Sequence, residues 1–353
     1  MSSRLSSLLH KVQPAGVILF ARNITGTGQT YRLLRDCQKC VATPLFTCVD
    51  LEGGTVDRFR DVLGPAPSAA DVFATGNRKL FRKHGHVLGA CCRALGFNVD
   101  FAPVLDLAFA ASRGVMSSRV VSADPRKVVT YAREFLRGLG AAGMRGCGKH
   151  FPGLGESTLD THRDLPSVNK PMRKLWVEDL LPYRTLRREM PFVMVAHAAY
   201  PAVTGDRTPA SLSQKWITGI LRKKIGYRGL ICSDDLEMGG VLAAAPIERA
   251  VTGHIRAGGD LTLICHSEEL VTRGYEALLR AAETDRRFRA RVVEATRRVQ
   301  KLKRKFFASH RRNALRPTSE KTERLTRRLW EFGEEVRMAR IERDEMSDAE
   351  PDA

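Results

Sequence analysis

The sequence has no run of about 18 consecutive apolar residues, which excludes a transmembrane helix of ordinary length. Its first residues, MSSRLSSLLHKVQPAG, carry no apolar stretch followed by a cleavage site, so no secretory signal is expected. No glycine-rich phosphate turn follows an early apolar run, which argues against a dinucleotide-binding fold. The 353 residues, 43% hydrophobic and 27% charged, suit one α/β barrel or two ordinary globular domains.

The eight cysteines are scattered and offer only one C-x-x-C pair, Cys37 and Cys40. A zinc site needs a second pair at a matching spacing, so neither a metal nor a redox role is expected. Cysteines within apolar runs pack as small hydrophobic residues. This usage is typical of a reducing compartment, and we expect a cytoplasmic protein.

Positive charge is unevenly distributed along the chain. The net charge is +19, but residues 286–328 alone hold 17 Lys or Arg against 3 acids. A basic helical segment is usually a solvated face, and we favour that interpretation over a nucleic-acid site. The alternative, a polyanion-binding surface, predicts weak contacts that depend strongly on salt.

Short apolar runs alternate with longer amphipathic stretches along most of the chain. This order predicts parallel strands that are joined by helical crossovers. The predicted strands are Val17–Phe20, Leu45–Val49, Val99–Ala102, Met144–Gly148, Phe192–Ala196, Leu230–Ser233 and Leu261–Cys265. The predicted helices are Gln29–Cys40, Arg78–Leu95, Pro125–Leu139, Met172–Arg188, Gln214–Lys224, Ile247–Ala257 and Glu268–Arg280.

Seven parallel strands are one short of a closed (β/α)₈ TIM-type barrel, which is the α/β fold that we predict. Runs such as GVILF and FVMVA are apolar on both faces, as strands covered on both sides must be. A doubly wound open sheet is the alternative. We expect residues 1–307 to form the barrel and residues 308–353 a charged helical extension. That extension is predicted to hold a helix over Glu320–Arg343 and a disordered acidic end.

Polar and ionisable residues follow every predicted strand. In a parallel barrel all carboxyl ends of the strands lie on one face, which is the catalytic face. A single such residue is explained as a helix cap, but seven successive cases favour a polar site. In strand order they are Arg22 and Asn23, Asp50 and Glu52, Asp106, Lys149 and His150, His197, Asp234 and Asp235, and His266.

The stretch GKHFPGLGESTLDTHRDLP, residues 148–166, brings Asp160 and His162 within two positions of each other. A carboxylate beside an imidazole fixes its tautomer and raises its basicity, as a general acid/base requires. Taken alone, the triplet is better explained as a chance pair in a loop.

Two further stretches carry carboxylates at strand ends. In GLICSDDLEMGG, Asp234 is placed to attack an anomeric carbon or to stabilise an oxocarbenium ion, unless it only caps the next helix. In VDLEGGTVDRF, Asp50 and Arg58 are suited to hold sugar hydroxyls through charge-assisted hydrogen bonds. A surface ion pair is the simpler interpretation of that second pair by itself.

Together these stretches resemble glycoside hydrolase family 3, and within it the single-domain β-N-acetylhexosaminidases. The resemblance covers roughly Pro14 to Phe307, and the run KHFPG-x-G followed by D-T-H is its most specific part. The motifs that carry it are GVILFARNI, DLEGGTVDRF, GFNVDFAPVLDL, SRVVSADP, KHFPGLGESTLDTH, VMVAH and ICSDDLEM.

The resemblance implies a retaining exo-β-N-acetylglucosaminidase that acts on muropeptide-derived sugars in the cytoplasm. It implies that Asp234 is the nucleophile, with His162 as general acid and then general base, paired with Asp160. It also implies that the substrate is bound by Asp50, Arg58, Arg119, Lys149 and His150. No metal or organic cofactor, no specific nucleic acid and no membrane insertion are expected, and the partner is an amino-sugar glycoside.

The sequence departs from the family at its start, beyond Phe307, and in the middle of SRVVSADP, where the family usually has R-S-F; the arginine, Arg119, and the D-P are kept. Only 15 residues precede GVILF, so the usual first strand is expected to be missing or replaced, which would expose a strand edge. Three alternative functions remain: hydrolysis of another β-glycoside, phosphorolysis with histidine as acid/base, or binding of a polyanion by a weakly catalytic barrel.

Overall fold

The computed structural model describes residues 1–156, 165–242, 245–309 and 316–348, and its centre is a seven-stranded parallel sheet. The sheet curls into a half-barrel with helices around it, so the predicted barrel class is confirmed and the open doubly wound sheet is not formed. The strands are β1 Gly16–Leu19, β2 Phe46–Val49, β3 Leu51–Gly53, β4 Val56–Asp57, β5 Val99–Asp100, β6 Arg145–Phe151, β7 Phe192–Val195, β8 Leu230–Asp235 and β9 Leu261–Leu263.

The seven sheet strands pair in the order β1-β2-β5-β6-β7-β8-β9, and each corresponds to one of the predicted strands. The antiparallel hairpin of β3 and β4 lies outside this sheet and was not predicted. Longer helices lie at α1 Ser3–Val12, α2 Thr27–Lys39, α5 Arg78–Leu95, α7 Pro125–Ala141, α12 Ile247–Ala257, α13 Glu268–Thr284, α14 Arg286–Ser309 and α15 Ser319–Asp348. Shorter helices are α3 Arg60–Leu63, α4 Ala69–Ala74, α6 Arg113–Met116, α8 Met172–Val177, α9 Leu180–Leu186, α10 Pro201–Thr204, α11 Gly239–Leu242 and a π-helix over Lys215–Lys224.

Apolar side chains fill the inside of the half-barrel at its amino-terminal end. This cluster draws one or two residues from nearly every strand, because alternate residues of a buried strand point inward. Helix α14 completes the cluster with Val299 and Phe306, both of which are buried. The inward residues from the strands are Phe46, Cys48, Val99, Cys147, Phe192, Met194, Leu230 and Cys232.

The chain begins with a helix where the family resemblance implies a strand. Helix α1 is capped by Ser2 and packs beside α13, where Lys11 pairs with Glu276 at 3.0 Å. Among the described strands, β1 and β9 are the two edges of the sheet, and the residues along this seam are mostly half-buried. Arg22 bridges the seam by donating to the carbonyl oxygen of Cys265 at 2.8 Å.

The basic segment is only partly a solvated face. On α14, Arg291 and Arg298 both contact the buried carboxylate of Asp260 at 3.0 Å, and Lys303 is itself buried. The outer face of α14 remains rich in exposed arginine and lysine. One side of this helix is therefore part of the barrel.

Two predicted helix boundaries are wrong. The helix expected over Met172–Arg188 is broken into α8 and α9, because Pro182 in the first turn of α9 has no backbone N–H to donate to the carbonyl of Glu178. Asp179, at the break, bonds the buried Lys170 at 2.7 Å. Helix α15 runs to Asp348, five residues beyond the predicted end at Arg343. Residues 349–353, the rest of the acidic end, lie outside the described residues.

Candidate active site

A cavity of about 440 Å³ opens at the carboxyl ends of the strands. Six of the predicted site residues line it, although they come from four separate stretches of the chain. They are Asp50, Arg58, Arg119, Lys149, His150 and Asp234. The expected convergence of these side chains on one polar face is therefore observed.

An ion-pair network forms one wall of the cavity. Lys149, which is buried, lies 2.7 Å from Asp50 and 2.5 Å from Glu52. Glu52 also accepts two hydrogen bonds from Arg119, at 2.8 and 2.9 Å, in a bidentate pair. Burial alone would raise the pKa of Glu52, but Arg119 and Lys149 outweigh it and hold that pKa well below its usual range. Both basic groups stay protonated, because the same carboxylates raise their pKa values.

Strand β6 delivers two consecutive side chains, Lys149 and His150, to the same cavity. Adjacent residues of a regular strand point to opposite faces. Here the pairing with β7 shifts register between Gly148 and Phe151, and such irregularities re-aim side chains next to active sites. Lys149 and His150 therefore both line the cavity, although they are adjacent in the strand.

His150 is held by a buried carboxylate from the loop after β5. Its Nδ1 lies 2.6 Å from Oδ2 of Asp106, and its backbone N–H donates to the same oxygen at 3.2 Å. The other carboxylate oxygen of Asp106 accepts from the backbone N–H of Leu154 at 2.7 Å. Asp106 therefore fixes both the ring of His150 and the start of the stretch that leads to Asp160 and His162.

Asp234 and Asp235 end β8, where the pairing with β9 also shifts register. Burial raises the pKa of Asp234, but the nearby imidazoles of His150 and His197 and the backbone N–H of Asp235 lower it below its ordinary value. That N–H donates to Oδ1 of Asp234 at 2.8 Å. Burial raises the pKa of Asp235, whose carboxylate lies 3.2 Å from His266. The pKa values of the two neighbouring carboxylates are thus shifted in opposite directions, and Asp234 is the carboxylate kept ionised.

His197, at the end of β7, lies behind this carboxylate pair and is fully buried. Its Nδ1 lies 2.7 Å from the hydroxyl of Ser211 and its Nε2 lies 2.9 Å from the carbonyl oxygen of Asp235. Burial lowers the pKa of His197, and its two hydrogen bonds make the ring a support for the end of β8.

Aromatic and cationic groups form the rim of the cavity on the seam side. The guanidinium groups of Arg22 and Arg58 lie over the ring of Phe20, at 4.7 and 5.4 Å from its centroid. The ring of His266 stacks on the same phenyl ring with centroids 5.7 Å apart. Arg58 is therefore placed at the mouth by contact with an aromatic face.

Asp160 and His162 lie outside the described residues, so the structure does not report their positions. The described chain on either side of them is well fixed. Leu154 lines the cavity, and Glu156 lies 3.3 Å from the buried Lys170. On the other side, the backbone of Ala199 bonds Pro166 and Val168, each at 2.8 Å.

Three residues that support the site were not assigned a role from the sequence: Glu52, Asp106 and His197. Each follows a strand, so the alternation of apolar runs and polar ends already marked them. Their roles depend on contacts between residues 38 to 67 positions apart, which spacing along the chain does not reveal. Among the described residues, no group of three or more His, Cys, Asp or Glu side chains is arranged to hold a metal ion.

Comparison with known proteins gives consistent matches. The model of the glycosyl hydrolase family 3 N-terminal domain matches residues 1–302. A Bordetella parapertussis protein named Beta-hexosaminidase is 39% identical over 263 residues, which is 72% of this chain and 74% of that protein. No helix among the described residues is long and apolar enough to cross a membrane.

Two solved structures share the fold over most of the chain. A family 3 beta-N-acetylglucosaminidase from a Paenibacillus species superposes with a TM-score of 0.86 and 30% identity, over 94% of this chain. This chain spans 65% of that one, slightly less than two thirds. NagZ from Neisseria gonorrhoeae, solved in complex with zinc ion, gives a TM-score of 0.70 and 30% identity over 83% of this chain and 93% of that one.

Proposed function

The chain belongs to glycosyl hydrolase family 3, and from this premise we propose that it is a retaining exo-β-N-acetylglucosaminidase. The observation that carries the proposal is the meeting of an ionised carboxylate, Asp234, with the ion-pair network of Asp50, Lys149 and Arg119 in one sugar-sized cavity. Relatives named Beta-hexosaminidase and beta-N-acetylglucosaminidase support the choice of sugar.

Asp234 is the proposed nucleophile. In the first step its carboxylate attacks the anomeric carbon while the bond from that carbon to the leaving oxygen breaks. The leaving oxygen takes a proton from His162, and a covalent glycosyl-aspartate remains. In the second step His162 takes a proton from water, the water oxygen attacks the anomeric carbon, and the Asp234 carboxylate is released. The lowered pKa of Asp234 supports this role, because only the ionised form attacks.

His162 replaces the carboxylic acid that most glycosidases use for proton transfer. A neutral base reduces repulsion toward the anionic nucleophile and toward an anionic leaving sugar. Asp160 holds its tautomer. The neighbourhood supports the assignment, since Leu154, eight residues before His162, lines the cavity.

The proposed substrate-binding residues are Asp50, Arg58, Arg119, Lys149 and His150. Charged groups that line a cavity bind sugar hydroxyl and amide groups through strong, directional hydrogen bonds. We extend the proposal to substrates released from peptidoglycan as N-acetylglucosaminyl-anhydromuramyl sugars, to a cytoplasmic location and to catalysis without a cofactor. We also propose residues 1–307 as the catalytic barrel and residues 308–353 as its helical extension.

The test is hydrolysis of 4-nitrophenyl N-acetyl-β-glucosaminide compared with the β-glucoside. We expect turnover of the first and little of the second, release of the β-anomer first in proton NMR, and loss of turnover in Asp234→Asn. Equal rates on the two substrates would overturn the sugar assignment, and release of the α-anomer first would overturn the retaining mechanism. A glycosyl phosphate formed in phosphate buffer would favour the phosphorylase alternative.

A further inference from the structure

Helix α15 lies beyond the residues 1–302 that the family model matches, yet it is built into the fold. One stripe of this helix is buried, at spacings of four, three and four residues that place its members on one face. The stripe packs into the same apolar cluster as Leu51, the first residue of β3, and Phe59, which follows β4. Its members are Leu325, Leu329, Phe332 and Val336.

The centre of this contact is a stack of two rings behind the hairpin. Phe332 is fully buried, and its ring stacks on His84 of α5 with centroids 5.7 Å apart and planes 29° apart. His84 is held in place by the hydroxyl of Tyr131, 2.8 Å from its Nδ1. Burial lowers the pKa of His84 to about 3, so the ring stays neutral and apolar enough to stack.

The far edge of the His84 ring lies against the backbone of Gly53. A Cβ atom on Gly53 would lie 3.4 Å from Nε2 of His84 and only 2.1 Å from the carbonyl oxygen of Pro67. With a φ of +81°, this position also favours glycine by its backbone conformation. The hairpin therefore passes through a narrow slot, one wall of which is His84.

The residue before Gly53 is Glu52, which pairs with Arg119 and Lys149 in the cavity. The end of the same hairpin, next to Arg58, is fixed by two hydrogen bonds. Asp57 accepts them from the backbone N–H of Ala66 at 2.8 Å and from that of Phe59 at 3.0 Å. A shift of the hairpin would consequently move Glu52 and Arg58 together.

Polar contacts lock α15 in register on the elements around the slot. Arg340 pairs with Asp71 of α4, and Lys83 of α5 pairs with Glu335. Arg343 donates to the carbonyl oxygen of Ala74 at 2.7 Å. Helix α4 begins two residues after Pro67, so these contacts fix the second wall of the slot as well.

We propose that α15 positions the substrate-binding hairpin, with Phe332 as the positioning residue that acts through His84 and Gly53 on Glu52 and Arg58. The expected change in KM rests on the proposed function, whereas the positioning of the hairpin by α15 does not. Residues beyond the family match thereby contribute to substrate affinity, although no described residue of α15 lines the cavity.

The test compares Phe332→Ala with Trp330→Ala in the full-length chain. Trp330 lies on the same helix and is 64% exposed, so it is a matched control. Phe332→Ala is expected to raise KM for the nitrophenyl N-acetylglucosaminide roughly tenfold with kcat within about twofold, because the binding groups are misplaced while Asp234 is not. Trp330→Ala should leave both constants unchanged. If Phe332→Ala does not fold, Phe332→Leu replaces it, and a smaller rise in KM is expected.

Backbone hydrogen exchange separates a failure of this inference from a failure of the proposed function. The backbone N–H groups of Leu51, Gly54 and Phe59 are hydrogen-bonded in the hairpin region. They should exchange faster in the Phe332 variant than in the wild type and the Trp330 variant, whether or not the sugar substrate is turned over. Unchanged exchange in the hairpin, or a folded Phe332→Ala enzyme with wild-type KM, would overturn the positioning role.

Discussion

Glu52 and Arg119 form a bidentate ion pair at the wall of the cavity, and Lys149 shares the same carboxylate. Glu52 and Lys149 are buried, so removal of the carboxylate charge leaves cations without adequate compensation. Breaking a buried pair in this way costs about 3–5 kcal/mol. The pair therefore contributes both to the free energy of unfolding and to the wall of the substrate-binding cavity.

The first prediction concerns Glu52→Gln. We expect a lower melting temperature and a lower kcat/KM, because Arg119 and Lys149 lose the charge that orients them. Thermal unfolding and steady-state kinetics measure the two effects. Glu189→Gln is the control, since its pair with Arg133 is partly exposed and such pairs contribute about 1 kcal/mol or less. Equal losses in the two variants would contradict the role of the network.

The second prediction concerns His162→Ala and the leaving group. A general acid matters most when the leaving oxygen is strongly basic, so the variant should lose more activity on alkyl than on nitrophenyl N-acetylglucosaminides. His150→Ala is the comparison, because a binding residue should slow all these substrates to a similar degree. A series of aryl and alkyl glycosides, with kcat/KM plotted against leaving-group pKa, measures the difference. Parallel plots for wild type and His162→Ala would contradict proton transfer by His162.

The barrel was predictable because its signal is local. Each sheet strand is a short apolar run that ends in polar residues, and such runs are visible without knowledge of the partner strand. The same pattern identified Asp50, Lys149 and Asp234 as residues of one face. The β3–β4 hairpin was missed because its strands have three and two residues, too short for an alternating pattern.

What the sequence did not predict depends on contacts between distant residues. The break between α8 and α9 is the exception, because Pro182, which lacks the backbone N–H that a continuous helix would donate to Glu178, marks it in the sequence. The burial of one side of α14 depends on Asp260, 31 residues before Arg291. The role of α15 depends on Phe332 meeting His84, and neither residue is distinguished by its neighbours in sequence.

The third prediction concerns stability against pH. Burial lowers the pKa of His84 to about 3 and that of His254 to about 4, from an ordinary value near 6.5. Below pH 6.5 the unfolded chain therefore binds protons that the folded chain does not, and the free energy of unfolding falls as pH falls. The loss is roughly 2 kcal/mol for each histidine between pH 6.5 and pH 5. Burial, partly offset by Lys170, raises the pKa of Asp179 to about 6 and acts in the opposite direction.

Because Asp179 opposes the histidines, the test compares how the free energy of unfolding changes with pH in a variant and in the wild type. Urea unfolding at pH 7, 6 and 5 should show a smaller loss of stability in His254→Gln than in the wild type. His10→Gln is the control, because His10 is exposed. If His254→Gln kept the wild-type dependence on pH, the buried neutral state of His254 would be contradicted.

The fourth prediction tests whether the basic helix α14 is part of the barrel. The carboxylate of Asp260 is fully buried and receives the guanidinium groups of Arg222, Arg291 and Arg298 together with the backbone N–H of Ile231. Asp260→Asn keeps the shape but removes the charge that three cations share, so a loss of about 3–5 kcal/mol in the free energy of unfolding is expected.

Glu294→Gln is the matched control, since Glu294 contacts the same Arg291 and Arg298 from an exposed position. Its loss should stay below about 1 kcal/mol, because water screens that pair. Urea unfolding of the two variants decides between the interpretations: a large loss only at Asp260 means that α14 is held to the barrel by a buried charge, whereas equal small losses would mean that the arginines of α14 are a solvated face after all.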